Sequence, residues 1–263
     1  MQCSRCGRER TRRDGQTRLG GQRWRCNTCG RRFTARSTSA FTNHGFPDDV
    51  IALAVRWYVR YRLSYTDVAE WFAERGLVVD RSTIYRWVKR FLPLFQDAAR
   101  PHRHAVGTKW RVDETYTRLN GTWTYVYRAI DQHGQVVDAY FSQRRNAKAA
   151  EAFFRRAIAE TAVTPVQVTT DKAKWYPPAL RVVLPDAKHR TAKYLNNGLE
   201  RDHQHLKQRL YPMRGFKQAA AADLLARGHG FMQNLRNGFS RLTAGVPRPL
   251  RLMTAWAQLT QAI

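Results

Sequence analysis

Three acidic residues are candidates for metal-dependent chemistry on a phosphodiester. Asp113 lies in the segment WRVDETY, Asp171 directly follows VQVTT, and Glu200 lies in YLNNGLERDH. The chain carries 46 Lys and Arg against 20 Asp and Glu, which gives a formal net charge of +26. In so basic a chain, carboxylates that converge from separate elements would hold Mg²⁺ or Mn²⁺ against a phosphate that the surrounding arginines attract.

Four cysteines form a second candidate site. Cys3 and Cys6 make one CxxC pair, Cys26 and Cys29 make another, and nineteen residues separate the two pairs. This spacing is typical of a structural Zn²⁺ site with four thiolate ligands. Residues 1–36 are rich in arginine and poor in aliphatic side chains, so they need such a site in order to fold. A redox dithiol would need only one CxxC pair, and core thiols do not suit a segment with so little core.

A helix-turn-helix DNA-binding unit is predicted over residues 47–95. Ser64 begins a capping-box pattern, and a basic third helix, capped by Asp80 or Ser82, is expected to end near Pro93. Its outward side chains are the predicted DNA contacts: Ser82, Thr83, Tyr85, Arg86, Lys89 and Arg90. A three-helix packing module is the alternative, and the surrounding positive charge favours DNA binding.

An α/β domain with a mixed sheet is predicted over residues 106–212. Three β-branched and aromatic runs, WRVDETYT, TWTYVYRAID and VVDAYFS, are joined by the turn sequences LNG and QHG. A helix capped by Asn146, a strand that ends before Asp171 and a helix with Glu200 follow, in the order β-β-β-α-β-α. A basic helical region over residues 213–263 completes the chain, and we expect it to support dimerisation.

Neighbouring acids are expected to lie outside the catalytic set. Strand alternation places Asp113 and Glu114 on opposite faces, so only one of them can point into a site from that strand. Asp131, Asp138 and Asp202 are interpreted as residues of a turn, of a strand surface and of a helix surface.

The segments around the acids closely resemble the transposases of the IS6 (IS26-like) insertion-sequence family. The similar strings are WRVDETY, YVYRAIDQHG, NAKAAEAFFRRAI, TTDKAKWYPPAL and KYLNNGLERDHQHLKQRLYPMRGFK, within residues 47–235. The resemblance implies an RNase H-like DDE catalytic domain whose three acids are Asp113, Asp171 and Glu200. It also matches Lys207 to the basic residue of the family. Lys207 lies seven residues past Glu200, about two turns along the same helix face, and is a candidate to position a terminal phosphate.

This chain departs from the family pattern in two places. The interval between Asp171 and Glu200 is a few residues shorter than is usual, which indicates a trimmed loop before the Glu200 helix. Many members also lack an N-terminal zinc ribbon, whereas GQRWRC and CGRRF here resemble the ribbons that open several bacterial insertion-sequence proteins.

The resemblance implies a transposase that cleaves DNA at terminal inverted repeats and joins it to target DNA in a Mg²⁺-dependent reaction, forming cointegrates. A homodimer is expected, because synapsis of two ends needs at least two protomers. A non-catalytic DNA-binding regulator is one alternative, and the intact acidic triad argues against it. An RNase H-like nuclease without strand transfer is the other, and the ribbon and helix-turn-helix argue against it by implying a choice of site.

A cytoplasmic, nucleoid-associated location is also expected. No apolar run approaches the ~20 residues of a membrane span, and the opening MQCSRCGRER has no hydrophobic signal-peptide core. We therefore expect no membrane partner, and cysteines that stay reduced and available to metal.

Overall fold

The chain forms a small N-terminal sheet, a helical unit and a larger mixed sheet flanked by helices. The computed structural model describes residues 1–18, 20–191 and 197–263, and for residues 197–203 it describes the backbone only. The N-terminal sheet is antiparallel and contains β1 (Thr11–Gln16), β2 (Gln22–Cys26) and β3 (Arg32–Phe33) in that order. Its small core is formed by Cys3, Cys26 and Phe33.

Three helices follow as predicted: α1 (Asp48–Arg60), α2 (Tyr65–Ala73) and α3 (Arg81–Ala99). The Ser64 hydroxyl accepts from the backbone N–H of Asp67 at 3.1 Å, and the Asp67 carboxylate accepts from the N–H of Ser64 at 2.7 Å. This is the capping box that the sequence indicates. Asp80, and not Ser82, caps α3 by accepting from the Ser82 N–H at 2.8 Å.

Helix α3 does not end near Pro93, so that prediction is wrong. The helix continues to Ala99 with Pro93 inside it. An internal proline removes one backbone hydrogen bond and costs about 3 kcal/mol. Phe95 and Ala99, which lie beyond the proline, are buried, and Phe95 stacks on Trp256 with 4.4 Å between ring centroids. Burial of this last turn offsets the cost of the proline.

The larger sheet contains five strands in the order β6-β5-β4-β7-β8. The strands are β4 (Lys109–Leu119), β5 (Thr122–Asp131), β6 (Val136–Ser142), β7 (Gln167–Thr170) and β8 (Lys188–Thr191). β4, β5 and β6 pair antiparallel, whereas β7 runs parallel to both β4 and β8. The predicted α/β class, a mixed sheet flanked by helices, is confirmed.

Helices cover both faces of this sheet. On one face lie α4 (Ala147–Thr161), which Asn146 caps as predicted, and α5 (Tyr176–Val183). On the other lie α6 (Asn197–Leu210), which packs on β4, and α7 (Ala219–Asn237), which packs on β6. Helix α5 and strand β8 were not predicted from the sequence and add two elements to the expected order.

The C-terminal helices share one hydrophobic core with α1, α2 and α3. The last of them, α8 (Arg251–Ala262), places Trp256 between Phe95 and Phe231, and the Trp256 indole N–H donates to the backbone carbonyl of Ala52 at 2.8 Å. The helical unit and the C-terminal region are thereby packed together. None of the helices in the described parts of the chain has the length and apolar composition that crossing a lipid bilayer requires.

Candidate functional site

The two aspartates predicted from the sheet lie side by side. Asp113 is on β4, and Asp171 directly follows β7, which runs parallel beside it. Because Arg111 is in register with Thr169, the parallel ladder brings residues 113 and 171 to the same level. Carboxylate oxygens of Asp113, Glu114 and Asp171 all lie within 4.8 Å of one another. Two of the three predicted catalytic acids are therefore brought together.

These carboxylates suit a hard divalent cation. Mg²⁺ binds oxygen ligands at about 2.0–2.1 Å in an octahedron, so two of its ligands lie at most about 4.2 Å apart. Oxygens that lie within 4.8 Å of one another need at most a small side-chain adjustment to meet that geometry. Asp113 and Asp171 are both partly exposed, which leaves a bound cation open to a phosphate from solution.

Glu114 also joins the acid cluster, contrary to the expectation from strand alternation, but other side chains hold its carboxylate. Its side chain is only 1% exposed, and one oxygen accepts from Arg145 Nε at 2.5 Å. The other oxygen accepts from the Tyr176 hydroxyl. Because these contacts tie β4 to the first residue of α5, Glu114 braces the segment that carries Asp171.

We call the contacts of Glu114 with Arg145 and Tyr176 the Glu114 brace. Charge interactions also stabilise it. Burial alone lowers the pKa of Arg145, but the hydrogen bond and charge of Glu114, together with Asp171, outweigh it and leave the pKa raised. Burial raises the pKa of Tyr176 well above its usual value, and the charge of Glu114 raises it further. Arg145 therefore stays cationic and Tyr176 stays a neutral donor. Arg145 also lies over the Trp175 ring, 4.2 Å from its centroid. The local sequence does not predict these contacts, because Arg145 and Tyr176 lie 31 and 62 residues from Glu114.

Glu200 lies in α6, but its side chain is outside the described residues, as are residues 192–196 in the shortened interval before it. Lys207 lies farther along α6 and is partly buried. Leu206 beside it is fully buried, where α6 packs on the strand that carries Asp113. Helix α6 thus packs on the strand that carries Asp113, and the convergence of Glu200 with the two aspartates stays a prediction.

Helix α6 is also fixed to the helical unit, through Arg209. The Arg209 guanidinium lies 4.3 Å from the Tyr58 ring centroid and donates to the backbone carbonyl of Leu63 at 2.9 Å. Tyr58 in turn stacks on Tyr65 with centroids 4.1 Å apart. Sequence reasoning missed this contact, because a basic residue in a polar helix normally indicates a solvent-facing position.

The four cysteines converge as a zinc site requires. Sγ of Cys3 lies 3.6 Å from that of Cys29, and Sγ of Cys6 lies 3.7 Å from that of Cys26. Four sulfurs at 2.3 Å from a tetrahedral Zn²⁺ are about 3.8 Å apart, whereas a disulfide needs about 2.05 Å. The thiols are free, and all four sulfurs lie within 4.8 Å of one another.

Backbone donors prepare two of these thiols, Cys26 and Cys3, for metal. N–H groups of Cys29 and Thr28 point at the Cys26 sulfur, and they outweigh burial and lower the pKa of Cys26 to about 6. N–H groups of Arg5 and Cys6 likewise lower the pKa of Cys3. Thiolates, not thiols, are the metal ligands, so these donors favour a bound cation.

The predicted DNA-contact residues lie on one long helix. Ile84, Trp87, Val88 and Phe91 are buried, as the helical spacing predicts. Ser82, Arg86, Lys89 and Arg90 are exposed, and Thr83 and Tyr85 are partly buried. Three of the six take part in intramolecular hydrogen bonds, because Ser82 donates to Asp80 and Arg86 donates to Thr83 at 2.9 Å. Tyr85 and Lys89 face a cavity of about 590 Å³ that α3 shares with residues 213–227.

Comparisons with known proteins agree on one family. The DDE domain family DDE_Tnp_IS240 matches residues 107–239 of the chain. The transposase for insertion sequence-like element IS431mec from Staphylococcus aureus is 43% identical over 171 residues, which is 62% of this chain and 75% of the relative. The transposase for insertion sequence element IS257 in transposon Tn4003 from Staphylococcus aureus has the same identity and coverage.

Two solved structures are similar to a smaller degree. The HTLV-2 integrase catalytic core domain in complex with magnesium aligns with 59% of this chain and 86% of its own, at 14% identity and a TM-score of 0.33. The catalytic core domain of BIV integrase aligns with 58% of this chain and 98% of its own, at 18% identity and a TM-score of 0.37.

Proposed function

Because this chain belongs to the IS6 family of DDE transposases, we propose that it binds the terminal inverted repeats of its insertion sequence and joins them to target DNA. The chain is an enzyme of the polynucleotidyl transferase and endonuclease class. The finer steps that we propose are Mg²⁺-dependent strand cleavage at the repeats and strand transfer that yields a cointegrate. The observation that carries them is the convergence of Asp113 and Asp171 at the same level of two parallel strands.

We assign the metal to Asp113, Asp171 and Glu200. Bound there, Mg²⁺ or Mn²⁺ would activate the attacking water or 3′-hydroxyl and stabilise the leaving oxygen. The protein residues hold and orient these groups. Glu114 keeps the Asp171 segment in place through Arg145 and Tyr176, and Lys207 would contact the phosphate at the DNA end.

The other parts of the chain would recognise and bind the DNA. We propose a zinc ribbon at residues 1–36 with Zn²⁺ on its cysteines, a helix-turn-helix at 47–95, the catalytic domain at 106–212 and a C-terminal region at 213–263. Two ends must meet for strand transfer, so the active form would be a homodimer. It would act on the nucleoid, in the cytoplasm.

One reaction separates this proposal from its two alternatives. Purified protein is mixed with Mg²⁺ and a DNA that carries the native ends of the element, and the products are resolved on a sequencing gel. Joined products are expected. Cleavage without joining would indicate a nuclease, and binding without cleavage would indicate a regulator.

Helix α3 is expected to supply affinity for the ends of the element. We predict that Arg86→Ala with Lys89→Ala weakens binding to the inverted repeat roughly 100-fold, because a base contact is worth about 1–3 kcal/mol and a phosphate contact adds to it. Both side chains are exposed, so the fold should survive. A gel shift with the inverted repeat measures the effect. The matched control is Lys148→Ala with Arg155→Ala, an exposed basic pair on α4. Unchanged binding by the α3 variant would show that α3 is not the helix that recognises the inverted repeat.

The Glu114 brace is expected to matter for catalysis but not for binding. Glu114→Gln keeps the size of the side chain but removes the charge that Arg145 pairs with, so the Asp171 segment should loosen. We predict roughly 10- to 100-fold slower joining, since a charge-assisted contact of this kind is worth about 1.5–3 kcal/mol.

A Mg²⁺ titration of the joining rate checks the role of this brace. The Glu114→Gln variant should need more Mg²⁺ to reach half its maximal rate, and its affinity for DNA should stay at the wild-type level. Glu151→Gln on α4 is the control and should behave as the wild type does. A Glu114→Gln variant with the wild-type rate and Mg²⁺ dependence would contradict the brace.

A further inference from the structure

Four arginines from three separate elements line one cavity that contains neither the acidic cluster nor any predicted DNA-contact residue. Arg56 and Arg60 come from α1, Arg236 from the last turn of α7, and Arg248 from the loop before α8. The cavity has a volume of about 450 Å³. Its remaining lining residues are Tyr61, Pro249, Leu252 and Met253. We call it the four-arginine cavity.

Among the side chains that the structure describes, the four positive charges have no acidic partner nearby. No acidic side chain lines the cavity, and within the described parts of the chain none of the four arginines forms an ion pair. Burial lowers the pKa of Arg236, and the charges of Arg60 and Arg248 lower it further. Arginine nevertheless stays protonated. The folded chain therefore keeps four mutually repelling cations in one concave, partly buried place.

An anion with several charges is the ligand that relieves this repulsion. Guanidinium groups bind phosphate oxygens through paired N–H donors, and arginine is suited to this geometry. Arg56 and Arg60 are four residues apart and so are neighbours on one face of α1. Four unit charges match up to four phosphodiesters, each of which carries a single negative charge. A cavity of about 450 Å³ has room for more than one phosphate.

The apolar part of the wall suits the sugars between those phosphates. Tyr61 is 45% exposed and Met253 is 53% exposed, and both lie beside the arginines. The lining residues include no Asn, Gln, Ser or Thr, which are side chains that commonly read base edges or sugars. The cavity therefore suits contact with the backbone of a nucleic acid and not recognition of its sequence.

We propose that the four-arginine cavity binds consecutive phosphates of a DNA backbone, at a place separate from helix α3. The proposal rests on the proposed function, since it takes DNA as the polyanion. It extends the DNA-binding surface from α1 to the C-terminal region, because Arg236 and Arg248 belong to residues 213–263.

Fluorescence anisotropy with a 30-base-pair duplex of arbitrary sequence, measured over a series of KCl concentrations, tests the proposal on the full-length zinc-loaded chain. In the variant Arg236→Gln with Arg248→Gln, two phosphate contacts are lost. The slope of log affinity against log salt should then fall by about 1.8, and the affinity near 0.1 M salt should fall roughly 50-fold. The control Arg155→Gln with Arg181→Gln removes the same charge from two exposed positions on α4 and α5 and should change affinity by less than about threefold.

Two further measurements keep a folding defect from explaining the result. The melting temperature of the variant should equal or exceed that of the wild type at low salt, because repulsion is relieved. Inorganic sulfate should raise the melting temperature of the wild type more than that of the variant. If Arg236→Gln with Arg248→Gln fails to fold, Arg60→Gln with Arg248→Gln must show the same fall in slope.

The outcomes separate this proposal from the proposed function. A wild-type chain that fails to bind the duplex would refute DNA binding as a whole. A wild-type chain that binds, with cavity variants that match the control, would refute only the four-arginine cavity. The cavity variant could also lose binding to vesicles with 30% phosphatidylserine while its duplex binding is unchanged. That result would overturn the proposal, because it would assign the cavity to a membrane surface.

Discussion

Asp171→Asn is expected to reduce strand joining by roughly 1000-fold or more while DNA binding is retained. An amide cannot supply the charge that Asp171 and Asp113 together offer a divalent cation. Loss of the cation removes several kcal/mol of transition-state stabilisation, and each 1.36 kcal/mol is tenfold in rate. Asp113→Asn should be equally damaging, because both carboxylates lie within 4.8 Å of one another. The measurement is the amount of joined product formed with Mg²⁺ and a DNA that carries the native ends.

Asp186→Asn is the matched control for this prediction. Asp186 is exposed and lies between α5 and β8 in the same part of the fold. It should join DNA at the wild-type rate, which shows that removal of one negative charge from this part of the fold is harmless. Gel shifts of all three variants should match the wild type. Full joining by Asp171→Asn would refute the catalytic assignment.

The second large effect is expected at the cysteines. Cys26→Ser, or a strong chelator, should release one Zn²⁺ per chain and unfold residues 1–36, because a site of this kind contributes about 10–16 kcal/mol of folding free energy. The small core there consists of Cys3, Cys26 and Phe33 and cannot replace the metal. Native mass spectrometry counts the metal, and amide hydrogen exchange reports the loss of β1 and β2.

Thr28→Ala is the control for the zinc prediction. Thr28 points its backbone N–H at the Cys26 sulfur at 3.4 Å, so removal of its side chain keeps the donor. This variant should retain both the metal and protection of the ribbon. Hydrogen exchange in the helices and in the five-stranded sheet should be unchanged in both variants. A chain purified without bound metal, and with β1 and β2 still protected, would contradict the zinc site.

The strands could be predicted because they lie between clear turn sequences. Their residues either alternate between apolar and polar or form a continuous apolar run. That reading places β4, β5, β6 and β7 correctly, and with them the level at which Asp113 and Asp171 meet. Two elements could not be predicted in the same way. Helix α5 begins at Tyr176, and the next two residues, Pro177 and Pro178, resemble a break but are tolerated in the first turn of a helix. Strand β8 is the polar edge strand KHRT and has no apolar pattern.

The remaining differences arise from tertiary contacts that a single sequence does not display. Pro93 is tolerated within α3 because Phe95 finds a buried partner in Trp256, more than 150 residues away. Alternation predicts Asp138 on a strand surface, yet it is buried and its carboxylate pairs with Arg156 at 3.1 Å. Glu114 is likewise engaged by residues that only the folded chain brings to it. Local patterns thus located the proposed metal-binding pair but not the side chains that support it.

The most direct test of metal-dependent catalysis at the acidic pair is a change of metal preference at one ligand. Asp171→Cys should form no joined product with Mg²⁺, which prefers oxygen ligands, and should regain joining when Mn²⁺ is supplied. Wild-type protein should join DNA with either ion. Full joining by Asp171→Cys in Mg²⁺, at the wild-type rate, would contradict the assignment of Asp171 as a ligand of the catalytic metal.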